Sequence, residues 1–358
     1  MWSKILNSLK ASKATPSASL ETSLDMLARI RHQSEILAVC PDNTGSNWLG
    51  IKQGTIALFP NSTWIMPHYY SKPSFSETQL SRIYSEIKRL QFKKLVIRGF
   101  SDFFESMIVD LKKIFPEIEV YVMYAGGASE FSHTAHRNFY SKIVALTKEG
   151  LITKVGFNKK GLSEATELLY GIPCGHYLMK STIYETPNPV TVQQHNCVKI
   201  GVLGGSTFNK NTHTQVIAAL TLPNSEVYAF NANQYSYLGM DHRIKALAGP
   251  FDHSAFVELL SQMDVNYYLA FSESWGHIIA ESLSVGVPCL TTPGSGVLSY
   301  NEELKELLTV KDYDNILAIK EQTENVLKNH KKISEMGKQY VHSLNQKADF
   351  FLHAFLYT

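Results

Sequence analysis

Two glutamates, Glu273 and Glu281, stand eight residues apart in the segment FSESWGHIIAESLSVGVPCLTT (271–292). The apolar run VNYYLAF before it predicts a strand, Ser272-Glu273-Ser274-Trp275-Gly276 a loop, and the residues after Gly276 a helix that carries Glu281. Gly276 has no Cβ and lets a ligand approach the backbone closely. The first helical turn, Gly276, His277 and Ile278, offers N–H groups without helical partners at the positive end of the helix dipole. Such a terminus suits a diphosphate. Glu273 can accept hydrogen bonds from sugar hydroxyls, and Glu281 lies up to about 12 Å further along if the path is helical. A second constellation is GVLGGSTFNKNTHTQVIAAL (201–220). There a strand ends at Gly204-Gly205, a helix opens at Asn211, and Lys210 just before it supplies a positive charge. The backbone at Gly205 and the hydroxyls of Ser206 and Thr207 can serve as further phosphate ligands.

In this setting the glutamate pair resembles the EX7E motif of the retaining family-4 glycosyltransferases of GT-B fold. A Gly-x-Pro turn (Gly286-Val287-Pro288) and a Gly-rich loop (Pro293-Gly294-Ser295-Gly296) follow it in the family's order. Upstream, Gly249-Pro250-Phe251 is similar to the family's base-binding loop. The resemblance spans about 198–340 and is weak over 1–197. It implies an α/β chain of GT-B type, with two doubly wound Rossmann-like domains facing across a cleft. It further implies a hexosyltransferase that moves sugar from a nucleoside-diphosphate donor to a hydroxyl of a glycan, glycolipid or glycoprotein in surface glycan synthesis, with retained configuration. Under it Glu273 holds the sugar ring, Lys210 and the helix start stabilise the diphosphate, Glu281 holds the ribose, and no metal or other cofactor is required. The sequence departs from the family at two places. The family's Arg near Lys210 falls on Gly205 or Ser206, and its histidine after a central N-terminal strand is replaced by Tyr124 and Gly126-Gly127. Gly45 looks like the family's Gly loop, and Tyr124 and His133 are the remaining acceptor-side candidates. His136 reads as structural, and His68 is a weaker alternative.

Stepping outward, strand-like runs at 35–40, 62–66, 93–98, 118–124 and 152–157 alternate with helical stretches at 75–91, 101–115, 134–147 and 160–170. Such alternation implies a parallel sheet covered on both faces. The polar segment 185–197 carries two prolines and reads as a linker. The pattern restarts with strands at 198–205, 226–230, 265–271 and 288–292 and helices at 212–221, 253–263 and 276–285. The expected domains are 1–190 on the acceptor side and 191–345 on the donor side, with 346–358 packing back on the first. Residues 1–14 have helical apolar spacing.

The 358 residues are 44% hydrophobic and 18% charged, as in a globular chain. No run of about 20 apolar residues is present, and the four scattered cysteines fit reduced thiols rather than a disulfide or zinc framework. The expected setting is cytoplasmic. Net charge divides unevenly: 22 Lys+Arg against 16 Asp+Glu gives +6 over 1–190, leaving 12 against 16, or −4, for 191–358. A basic N-terminal half could face anionic lipid at the inner membrane face, or an acidic acceptor; nucleic acid is not an expected partner. Asp312-Tyr313-Asp314 fits a metal-binding DxD pattern but precedes a helical stretch (314–328) and reads as its N-cap. Two other readings stay open. One is an epimerase or hydrolase acting on a nucleotide sugar; the other is a non-catalytic binding partner, favoured by the missing Arg and His.

Overall fold

The computed structural model describes residues 19–42, 49–67, 75–183, 197–205, 207–247, 249 and 251–358. The helix expected at 1–14, Gly45, His68, Ser206, Pro250 and nearly all of the 185–197 segment lie outside these residues. The described residues form two compact units. The first holds residues 19–180 with Lys347–Thr358, and the second holds 181–183 with 197–346.

The first unit follows α1 (Leu20–Gln33), β1 (Ile36–Asp42), α2 (Leu49–Leu58), β2 (Thr63–Pro67), α3 (Glu77–Arg89), β3 (Lys94–Arg98), α4 (Asp102–Ile114), β4 (Glu119–Tyr124), α5 (Thr134–Lys148), β5 (Lys154–Phe157), α6 (Leu162–Tyr170) and β6 (Cys174–His176). Its six strands are all parallel, in the order β2-β1-β3-β4-β5-β6. Val96, Ile97, Val120 and Val122 are buried in the central strands, as expected of strands covered on both faces. Local signals fix the helix ends. Ser76 and Gln79 form a reciprocal capping box at α3, and the Ser101 hydroxyl caps α4. The strand order reverses between β1 and β3, which makes the carboxyl ends of those strands the expected ligand position.

The second unit follows β7 (Val198–Val202), α7 (Thr212–Leu220), β8 (Ser225–Phe230), β9 (Ile244–Leu247), α8 (His253–Ser261), β10 (Val265–Tyr268), α9 (His277–Ser284), β11 (Cys289–Thr291), α10 (Glu302–Leu308) and α11 (Ile316–Lys328). Its parallel strands run β11-β10-β7-β8-β9, so the order reverses between β7 and β10. A last helix, α12 (His330–Tyr357), contributes its residues to Gln346 to this unit and those from Lys347 to the first.

Within the described residues the expected strands and helices occur, with ends shifted by a few residues. Two short edge strands, β6 and β9, and the helices α1, α2 and α10 add to them. The DxD segment needs a correction. Asn315 caps α11, accepting from the N–H groups of Leu317 and Ala318, while Asp312 accepts from the Asn315 amide at 2.9 Å. The cap thus lies one residue beyond Asp314.

Candidate functional site

Strands β7 and β10 send their carboxyl ends into adjacent loops, and these loops carry Lys210 and Glu273. Lys210 sits on a single 3-10 turn (Phe208–Lys210), and Asn211 takes a left-handed conformation (φ 52°) before α7 starts. Gln215 on α7 ties the two loops. Its amide donates to the Lys210 carbonyl at 2.6 Å, and its amide oxygen accepts from the Leu269 N–H at 3.2 Å. The Phe271 N–H also reaches the Asn209 carbonyl at 2.9 Å.

This frame puts the Lys210 ammonium 2.5 Å from Glu273 Oε2 and 2.7 Å from the Tyr268 hydroxyl. The Tyr268 hydroxyl donates to the same carboxylate oxygen, and the Ser274 N–H donates to the other at 3.0 Å. Burial pushes the Glu273 carboxyl up, but the charge and hydrogen bond of Lys210, with those of Tyr268 and Ser274, outweigh it and hold the group below its usual range. Tyr268 is driven well above its ordinary value, first by burial and then by the Glu273 charge. The cluster therefore contains an ionised carboxylate and a neutral phenol.

Gly276 precedes α9 with φ +94°, a region other residues enter only with strain, and a Cβ there would lie 2.7 Å from Ile279 Cδ1. The N-cap residue, Gly276, has no side chain to cap this helix start. Asn266 on β10 donates to the Ser282 hydroxyl at 2.8 Å, and that hydroxyl donates to the Val287 carbonyl, which fixes α9 on the sheet. Ile278 packs on the unit's core, as does Phe251, whose ring lies 5.8 Å from that of Phe230. Thr207 donates to Asn209 at 2.6 Å, and nothing stands within 4 Å of a Cβ placed on Gly205.

Glu281 is not a helix-surface carboxylate. It is 5% exposed, and its Oε1 lies 2.7 Å from His253 Nε2, itself buried at the first position of α8. It therefore lies on the inward face of α9. The sequence reading missed His253, Tyr268 and Gln215. Tyr268 reads as a core strand residue, and its place as the last residue of a reversal-point strand was the available signal.

In the first unit, Tyr124 ends β4, and its hydroxyl shares a 2.8 Å hydrogen bond with His136 Nδ1. Burial, then the neighbouring His133, hold the His136 imidazole below its usual range. His133 itself is exposed at the start of α5, so the residue brought to Tyr124 is His136, read from sequence as structural.

Residues 246–341 match the family model for glycosyl transferases group 1. The matched residues all lie in the second unit. The Glu273 and Glu281 loop and helix lie inside the match, and Lys210 lies before it. The whole chain has the GT-B glycosyltransferase fold. Sucrose-phosphate synthase from Thermosynechococcus elongatus superposes with a TM-score of 0.63 at 12% identity, covering 90% of this chain and 99% of that one. Anabaena HepE, solved with UDP and glucose, gives 0.60 at 13% identity over 89% and 99%. A glycosyltransferase from Rickettsia africae gives 0.61 at 14% identity over 90% and 98%. Among curated protein sequences no match is found. No described helix is long and apolar enough to cross a membrane.

Proposed function

We propose that this glycosyltransferase takes a nucleoside-diphosphate sugar and transfers the glycosyl group, with retention, to a hydroxyl of a glycan, glycolipid or glycoprotein. The observation that carries the reading is the Lys210–Glu273–Tyr268 cluster at the strand-order reversal of the second unit, beside the start of α9 at Gly276. The UDP and glucose bound in Anabaena HepE support a nucleotide sugar as donor.

In this scheme Lys210 and the N–H groups at His277 and Ile278 face the diphosphate, preorganised for the charge that develops as it leaves. Glu273 accepts from hydroxyls of the transferred sugar. Glu281, held by His253, accepts from the ribose, and Phe251 flanks the base. The bond from the anomeric carbon to the phosphate oxygen breaks while the acceptor oxygen bonds to that carbon on the same face. The hydroxyl proton passes to the leaving phosphate oxygen, and nucleoside diphosphate departs. The step uses no metal. Tyr124 with His136, and the Gly45 loop, belong to the acceptor side, and acceptors at a membrane face fit the basic N-terminal half.

A thermal-shift panel of UDP-, GDP-, ADP- and TDP-sugars tests the donor assignment. One sugar nucleotide should raise the melting temperature of the wild type and fail to do so in Lys210→Ala. Release of free nucleotide should then depend on added acceptor. A panel without response would leave the fold as a non-catalytic binding module, and release without acceptor would make it a hydrolase.

A further inference from the structure

Arg98, the last residue of β3, is fully buried in the first unit. Among the described residues no carboxylate pairs with it. Its partners are the Thr55 hydroxyl, 3.3 Å from Nε, the Met179 thioether, 2.9 Å from Nη2, and the face of the Tyr177 ring, 5.0 Å from Cζ. All three are neutral, and among the described residues Nη1 has no hydrogen-bond partner. A guanidinium stays charged at any working pH. Burying such a charge is costly unless an anion or a full set of acceptors offsets it. A thioether is a weak acceptor; the Thr55 hydroxyl, whose own proton goes to the Ile51 carbonyl at 2.6 Å, accepts from Nε.

The position adds a second, independent reason. β3 pairs with β1 in the register Val39↔Ile97, so Arg98 comes at the carboxyl end of the two strands between which the sheet order reverses. Ligands of open parallel sheets bind at that place. Arg98 also adjoins the acceptor-side groups. The Tyr177 ring that covers it donates its hydroxyl to the Tyr124 carbonyl at 3.1 Å, and the Tyr124 side chain holds His136.

We infer that Arg98 is the anchor of an oxyanion site in the first unit and takes a phosphate or carboxylate group through Nη1 and Nη2. The paired N–H edges of a guanidinium match two oxygens of either group. Met179 occupies the place of one such oxygen. It lies in the irregular segment just after β6, so its flexible side chain can swing aside as the anion enters. That this anion belongs to the sugar acceptor rests on the transferase reading above; the binding itself does not.

Thermal shift with inorganic phosphate tests the site, using wild type, Arg98→Met, Arg98→Lys and Lys210→Ala. Phosphate should raise the wild-type melting temperature by at least about 2 °C at saturation. The shift should persist in Lys210→Ala and vanish in Arg98→Met, which without anion should melt no lower than wild type because an uncompensated charge is gone. Glucose 6-phosphate and glucuronate, against neutral glucose, tell a phosphorylated acceptor from an acidic one. No wild-type response to any of these anions overturns the inference. So does an unchanged shift in Arg98→Met or, if that variant does not fold, in Arg98→Lys. A shift lost in Lys210→Ala but kept in Arg98→Met places the phosphate in the donor site and also overturns it. Phosphate binding through Arg98 in a protein that binds no sugar nucleotide would sink the donor reading alone.

Discussion

Lys210 and Glu273 depend on one another. With Lys210 removed, the carboxylate keeps its burial and loses the charge that opposes it, so Lys210→Ala should lower stability at pH 7 by about 2–4 kcal/mol, between a charged hydrogen bond and a broken buried pair. The pH dependence has a definite sign. The folded Glu273 carboxyl titrates below its unfolded value of about 4.3, so its ionised form stabilises the fold above that pH, and the contribution is lost as pH falls through the folded pKa. Acid titration of the melting temperature should therefore show a smaller loss below about pH 4.3 in Glu273→Gln than in wild type. An equal loss would mean that other carboxylates set the acid limit. At Glu281, burial with His253 makes truncation costly to the fold. Glu281→Ala should lose about 1–3 kcal/mol. His253→Ala should lose a similar amount, and the double variant less than the sum because the two share one interaction. Chemical denaturation of the three proteins checks this; full additivity would separate the pair.

The elements were more legible than the contacts between them. Parallel strands buried on both faces read as continuous apolar runs, which is why Leu95–Val96–Ile97 and Val120–Tyr121–Val122 stand out from their neighbours. Cys174–His176 and Ile244–Leu247 did not, since three or four residues at a sheet edge make no run of that kind. The Glu273–Glu281 spacing was readable, but the depth of α9 was not. Nothing in HIIAESLS says that Glu281 faces inward, because that depends on Asn266 and Ser282 joining the helix to the sheet. His253 came from another helix 28 residues earlier, a pairing that only the fold supplies. Gly276 is where local backbone and site coincide. Gly276→Ala places a side chain at φ +94° and against Ile279, so the start of α9 must shift or strain by about 1–3 kcal/mol. Sugar-nucleotide affinity should fall more than the loss of stability explains, measured by calorimetry well below the melting temperature. Wild-type affinity would show that the helix start does not touch the donor.

On the scale of the molecule, the first unit is completed by a distant part of the chain. Phe355 fills a space that two glycines leave open: a Cβ on Gly156 or on Gly175 would lie 2.9 Å from its ring. Tyr121 meets the same ring edge-on at 5.5 Å and donates its hydroxyl to the Leu356 carbonyl at 3.1 Å, while Lys180 pairs with Asp349 at 2.9 Å. Phe355→Ala should cost about 3–5 kcal/mol. Deleting 347–358 should lower the transition of the first unit and leave that of the second in place, resolved by scanning calorimetry with and without a bound sugar nucleotide. A common downward shift of both transitions would show that the units unfold as one.

The discontinuity of that unit also sets an order of events during synthesis. Residues 19–180 leave the ribosome first, yet they lack the ring that closes their sheet until Lys347–Thr358 has been made. At about 5–20 residues per second the wait is roughly ten to forty seconds. Over that interval the space beside Gly156 and Gly175 stands unfilled while the second unit, whose described residues all come from intervening sequence, can fold. Nascent chains that end at Gln346 and are tethered to the ribosome through a long flexible spacer should accordingly expose residues 19–180 to protease after the second unit has become resistant.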